Sequence, residues 1–160
     1  MASVEESRRL DASVEDVWKV VSDPHHLPRW WPRTVRVEGV KLVPGVNRSR
    51  FTQVMVSERG NPVRADFRCV AATECQRLDW QQTIAGTPFE RFLRASGLQI
   101  ELDGSEEGTT VTLCSDQELR GLSRFGGPLM KSASRRTLIG ALDGLEAALG
   151  GTGGGEEAWR

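Results

Sequence analysis

The chain has no tyrosine, only two histidines and three cysteines among its 160 residues, and almost no net charge. Each shortage narrows the possibilities. A formal charge of -1 leaves no electrostatic footprint for nucleic acid or an anionic membrane, so neither is an expected partner. Arg48, Arg50, Arg64 and Arg68 alternate with apolar residues along presumed strands, the pattern of a solvated sheet face. Cys69, Cys75 and Cys114 are odd in number and match no metal-ligand or redox spacing, which predicts reduced thiols in a cytoplasmic protein, with no metal and no cofactor. His25 and His26 are adjacent, so their side chains diverge and cannot share a metal without a further ligand cluster, which the chain lacks. There is no long apolar run either: the opening MASVEESRRL reads as neither a signal peptide nor a membrane span. No internal repeat is present, and residues 151–160, rich in glycine, read as a disordered tail on a single domain spanning 1–150.

What the chain does have is a strong helical period near its end. Met130, Ala133, Thr137, Leu138, Ala141, Leu142, Leu145, Ala148 and Leu149 recur at three- and four-residue spacings and share one face. Pro128 suits the first turn and Gly150-Gly151 supplies the stop, so the spacing predicts a helix over Pro128–Leu149, roughly 33 Å long at 1.5 Å per residue. Its stripe needs a broad apolar partner. Gly140 and Gly144 weaken this helix by about 1 kcal/mol each relative to Ala, and point either to close approach of another backbone or a ligand, or to simple tolerance.

Upstream the period changes several times. Residues 3–10 alternate weakly as a first strand. Ser13-Val14-Glu15-Asp16 has the form of a capping box opening a helix with Val14, Val17, Trp18 and Val21 on one face. Asp23-Pro24 ends it and starts a second short helical piece over His25–Trp31. Val35 and Val37 then alternate with Arg36 and Glu38. Pro44-Gly45 turns into a strand in which Phe51, Gln53 and Met55 share parity, and Arg59-Gly60-Asn61-Pro62 turns into Val63, Ala65 and Phe67. Leu78, Trp80 and Gln82 share a face of the next strand. Phe89–Ser96 and Leu98–Leu102 read as one strand with a possible bulge at Gly97, and Thr109–Gln117 closes the series. One strand, two short helices, about six consecutive strands and a long helix make an α+β domain, its meander presenting an apolar face to the helix.

Several pieces of this chain resemble a known family. Val14–Pro32 (VEDVWKVVSDPHHLPRWWP), the Pro44-Gly45 turn, Arg77-Leu78-Asp79-Trp80 and Gly108-Thr109-Thr110-Val111-Thr112-Leu113 are similar, in order, to the polyketide cyclase/dehydrase branch of the START-like (SRPBCC) superfamily. The resemblance covers roughly residues 3–149. It implies a helix-grip fold: a curved antiparallel sheet of about seven strands around the long C-terminal helix, with a cavity between them. It also implies a small hydrophobic ligand, lipid- or polyketide-like, with cyclisation or dehydration as the enzymatic alternative. The superfamily's chaperone-activator branch supplies a protein-interaction alternative. A shared container does not assign a reaction.

Candidate residues follow from parity and chemistry. Trp30, Trp31, Phe51, Gln53, Phe67, Trp80 and Met130 are the expected ligand-binding lining, with no catalytic residue assigned. Trp30-Trp31 offers indoles that could stack on a planar ligand; the competing reading packs one ring under the first helix and leaves the other half exposed. Gln53 could orient a ligand without the cost of a buried charge. His25 or His26 could act as a general acid or base at a cavity entrance, against the simpler reading of an exposed pair beside a turn. Arg64, Asp66, Glu90 and Arg91 could hold an enolate only if turned inward, and the parity of Ala65 and Phe67 argues that Arg64 and Asp66 face solvent. Gly121–Gly126 has one residue too many for a nucleophile elbow, the glycine-rich tail lacks the Lys-Ser/Thr of a phosphate loop, and Glu106-Glu107 falls in a turn.

Overall fold

The computed structural model describes residues 2–43, 49–121 and 126–149. The Pro44-Gly45 turn, Arg48, much of the Gly121–Gly126 segment and the glycine-rich end at 151–160 lie outside the described residues.

Strand β1 (Ala2–Leu10) leads into helix α1 (Val14–Val21), a 3-10 turn at Pro24–His26 and the short helix α2 (Leu27–Trp30). Six strands follow: β2 (Thr34–Lys41), β3 (Arg50–Val56), β4 (Pro62–Thr73), β5 (Arg77–Gln82), β6 (Leu93–Ser105) and β7 (Gly108–Leu119). Helix α3 (Gly127–Leu149) ends the described chain. The seven strands form one sheet in the order β1-β7-β6-β5-β4-β3-β2, every pairing antiparallel. Short connections force consecutive strands side by side, whereas α1 and α2 carry the chain from one edge of the sheet to the other.

The starts of the short helices have local chemical causes. The Ser13 hydroxyl accepts the Asp16 N–H at 3.2 Å, satisfying a donor that the first turn of α1 cannot. Asp23 repeats the device, accepting the His25 N–H at 3.0 Å ahead of Pro24. Within α1, Val17, Trp18, Val20 and Val21 are buried, and the helix packs against β6 and β7.

The sheet bends where its register slips. Shifts fall between Thr34 and Arg36, between Glu38 and Lys41, between Cys69 and Ala71, and between Leu93 and Ala95. An extra residue on one strand increases local twist and curls the sheet. The first of these leaves Val35 unpaired and 51% exposed, so the expected alternation through Val35 and Val37 is broken at its start. Two other expectations are corrected. Phe89 does not begin a strand: Pro88–Arg91 is a 3-10 turn, because proline after Thr87 favours a helical first position and has no N–H for a ladder. Gly97 is no bulge, since it pairs in register with both Gln81 and Asp116.

Helix α3 lies on β1, β7 and α2. Leu138, Ala141, Leu142 and Leu145 are the buried part of its stripe, and they join Val4, Leu10, Val17, Trp30, Ile100, Val111 and Leu113 in one core. Gly144 is where α2 meets the helix: a Cβ built there would stand 2.2 Å from the Trp30 carbonyl oxygen and 2.8 Å from its Cα. Of the two readings of that glycine, close backbone approach is the observed one. At the solvent side, Arg8 bridges Asp143 and Glu146, and Arg135 meets Glu6, tying the helix to β1 by exposed ion pairs that each contribute little.

Candidate functional site

Between the concave sheet face and α3 lies a cavity of about 330 Å³, within the size range of small-molecule sites. Trp30, Trp31, Phe51, Gln53, Phe67, Trp80 and Met130 are among the residues that border it. Its aromatic floor comes from three neighbouring strands. Phe51 on β3 is paired with Phe67 on β4, and their rings stack at 5.4 Å between centroids and 16° between planes. Trp80 on β5 meets Phe51 edge-on, at 4.8 Å and 84°. Such offset and edge contacts hold the rings without filling the space above them.

The opposite wall is helical. Trp30 is buried and Trp31 half-buried, with their rings edge to face at 5.4 Å, so one indole packs inward while its neighbour stays at the rim. The position of Trp30 is set by Gly144, because only a glycine lets the α2 backbone sit so close to α3. From α3 itself, Met130, Ala133, Ser134, Thr137 and Leu138 complete the wall. Exposed Ala133 and the 38% exposed Phe92 put the opening between the first turns of α3 and the Pro88–Arg91 turn.

Polar groups in the lining are neutral. Gln53 is buried and its side-chain N–H donates to the Thr34 hydroxyl at 2.7 Å, which anchors the amide against β2. The Thr137 hydroxyl donates to the Ala133 carbonyl at 3.1 Å, and the Ser134 hydroxyl reaches the Gln117 amide oxygen at 3.5 Å. Two donors remain. Trp30 Nε1 and Gln82 Nε2 are shielded from solvent and have no hydrogen-bond partner among the described residues.

Among the described residues of the lining there is no Asp, Glu, Lys, Arg, His or Cys. The charged candidates all sit elsewhere. His25 is exposed and its Nδ1 lies 2.8 Å from Asp23, while His26 meets Arg29 at 3.0 Å; neither ring lines the cavity. Arg64 pairs with Glu38 on the outer face, and hydrogen bonds from Arg36 and Arg64 hold the Glu38 carboxyl below its ordinary range. Asp66 accepts from the Thr52 hydroxyl at 2.5 Å, Glu90 accepts the Gly86 N–H at 3.1 Å, and Arg91 is exposed. Glu107 meets Arg9 at 2.9 Å in the turn before β7. The thiols are also outside the lining; burial pushes the Cys69 thiol up, away from reactivity. No group of described His, Cys, Asp or Glu residues is arranged to hold a metal. The arrangement can stack, enclose and hydrogen-bond; it holds no group that exchanges protons readily near neutral pH.

Sequence reasoning missed Gln82, Ser96, Gln117, Ser134, Phe89 and Phe92. Gln82 had a signal, its shared parity with Trp80. Ser134 lies one residue from the apolar stripe, and Phe89 within the Pro88–Arg91 turn and Phe92 directly after it were concealed by the period of two.

A curved antiparallel sheet gripping a long C-terminal helix, with an apolar cavity between them, defines a START-like helix-grip protein. The chain belongs to the polyketide cyclase / dehydrase and lipid transport family, whose model matches residues 1–150. Solved structures with this fold include a START superfamily protein from Mycobacterium smegmatis, at 16% identity and TM-score 0.75, covering 92% of this chain and 96% of that one. The di-domain ARO/CYC StfQ from the steffimycin biosynthetic pathway matches at 13% identity and TM-score 0.76, over 99% of this chain and 52% of that protein. A protein from Thermus thermophilus matches at 24% identity and TM-score 0.68, over 90% of this chain and 94% of that one. No curated protein matches the chain. Identities this low carry the fold and leave the chemistry to the site.

Proposed function

We propose that this protein binds a small hydrophobic molecule, lipid- or polyketide-like, in the cavity between sheet and α3, as a binding protein rather than an acid/base catalyst. The observation that carries this reading is the lining itself: a 330 Å³ cavity walled by aromatics, aliphatics and neutral amides and hydroxyls, with no titratable side chain among its described residues. Cyclisation or dehydration requires a proton to be taken from one atom and delivered to another, and a positioned acid or base does this work in enzymes. The open interior likewise favours a ligand over the protein-interaction alternative, which calls for a filled core and a broad exposed apolar patch. Three free thiols agree with a cytoplasmic setting.

The test is a titration with the uncharged fluorophore N-phenyl-1-naphthylamine, whose emission rises in apolar surroundings. Saturable binding near one molecule per chain is expected, with native mass spectrometry of gently purified protein showing a retained small molecule. Trp80→Phe is expected to reduce the accompanying change in tryptophan emission while the far-ultraviolet circular dichroism stays that of the parent. No saturable binding by either measurement would remove the reading.

A further inference from the structure

The rim of the cavity opening differs in character from the cavity itself. Leu129, in the first turns of α3, is 79% exposed, and Phe92 across the opening is 38% exposed. Leu129 precedes Ala133 by one helical turn, so it sits on the strip of α3 that reaches the opening. Three cations flank these two residues. Arg91 closes the Pro88–Arg91 turn, the Arg120 backbone N–H donates to the Phe92 carbonyl at 2.9 Å, and Lys131 follows Met130 in α3. All three are exposed, and unlike Arg94, which meets Glu118 at 3.9 Å, they have no carboxylate partner among the described residues. The acid of the turn itself, Glu90, accepts the Gly86 N–H. Nor does the first turn of α3 carry an acidic residue to offset the partial positive charge of its N-terminus.

Resting on the binding reading above, we infer that this rim docks on the surface of an anionic bilayer, with Leu129 and Phe92 entering the headgroup boundary and Arg91, Arg120 and Lys131 meeting lipid phosphates. Apolar side chains set among cations match both layers of such a surface: the acyl boundary takes the leucine and the ring, and the negative headgroups take the charges. Nucleic acid would satisfy the cations and leave Leu129 in water. The cargo argues the same way. A small hydrophobic molecule partitions into bilayers, and an opening seated on one lets it reach the cavity without crossing water. The formal charge of -1, which gave no reason to expect an anionic membrane, is a sum over the whole surface and does not describe this rim. Such docking is peripheral and needs no spanning helix.

The experiment is co-sedimentation of the full chain with vesicles of phosphatidylcholine alone, or of phosphatidylcholine with about one-third phosphatidylglycerol. Binding is expected to be about tenfold stronger to the anionic vesicles and to weaken as salt is raised. Arg91→Gln combined with Lys131→Gln should lower that binding about tenfold, and Leu129→Ser, a change at an exposed position, about fivefold. None of these three side chains lines the cavity, so uptake of N-phenyl-1-naphthylamine measured without vesicles should stay that of the parent. That readout separates loss of docking from loss of the fold. Equal binding to the two kinds of vesicle, undiminished binding in Leu129→Ser, or undiminished binding in the double variant would each overturn the inference while the binding reading stands. No vesicle binding by the parent would overturn it as well, and would leave an acidic protein as the partner of this rim. A parent that binds anionic vesicles but takes up no fluorophore would support the docking and remove only the cavity reading.

Discussion

The two halves of α3 differ in what they face, although one apolar stripe runs through both. In the C-terminal half, Leu138, Ala141, Leu142 and Leu145 are at most 1% exposed, and Gly144 is pressed against the backbone of Trp30. In the N-terminal half, Met130 and Thr137 are only half-buried, Ala133 is exposed, and the surface they offer bounds the cavity. The first turns even expose Leu129 at 79%. One end of the helix is therefore a structural wedge and the other a wall with space in front of it. The same spacing of apolar residues serves both, since a helical period reports which residues share a face and nothing about what stands opposite.

This contrast can be broken most severely at the wedge. Leu142→Ala or Leu145→Ala removes a fully buried side chain from close-packed surroundings and is expected to lower stability by roughly 2–5 kcal/mol in denaturant unfolding. Values within about 0.5 kcal/mol of the parent would show that this half is not core.

A sharper probe is Gly144→Ala. Helix propensity alone would make the change favourable by about 1 kcal/mol, but the new methyl meets the Trp30 backbone, which cannot rotate aside. A net loss of about 1–3 kcal/mol is expected from overpacking. Because α2 would be displaced and Trp30 with it, uptake of N-phenyl-1-naphthylamine should weaken as well. Stabilisation with unchanged uptake would contradict the close contact.

The smallest effect on stability belongs to the wall. Met130→Ala is expected to shift unfolding by no more than about 0.5 kcal/mol, the range of surface changes, yet to alter fluorophore affinity, because Met130 lines the cavity without belonging to the buried core. If the two halves were equivalent, Met130→Ala would cost as much stability as Leu142→Ala.

Much of the fold was legible because its signals are local. Ser13 and Asp23 announce two helix starts through side chains that cap the next turn, and both caps are present. The Phe51-Gln53-Met55 row could be read from a period of two and lies on the cavity side as a unit. Val35 was not legible, since its unpaired position depends on how β2 registers against β3. Phe89 was misread because an apolar residue within a 3-10 turn resembles the start of a strand, though Thr87-Pro88 marked the turn. Gln82 was placed on the correct face but not in the site, as no local pattern distinguishes an amide under a cavity from one under packed side chains.

By itself the sequence determined the order of elements, the caps that begin the short helices, the stripe of α3 and hence the container that these pieces build. Those properties depend on residues within a turn or a strand of one another, where sterics, capping hydrogen bonds and hydrophobic period act directly. Only the tertiary structure decided that Gly144 receives the Trp30 carbonyl, that half of α3 is core while the other half bounds a cavity, and that Trp30 and Gln82 line the same cavity. Each of these is a relation between segments distant in the chain. It depends on the strand register, the bulges that curl the sheet and the packing of α2 on α3, none of which a single segment encodes.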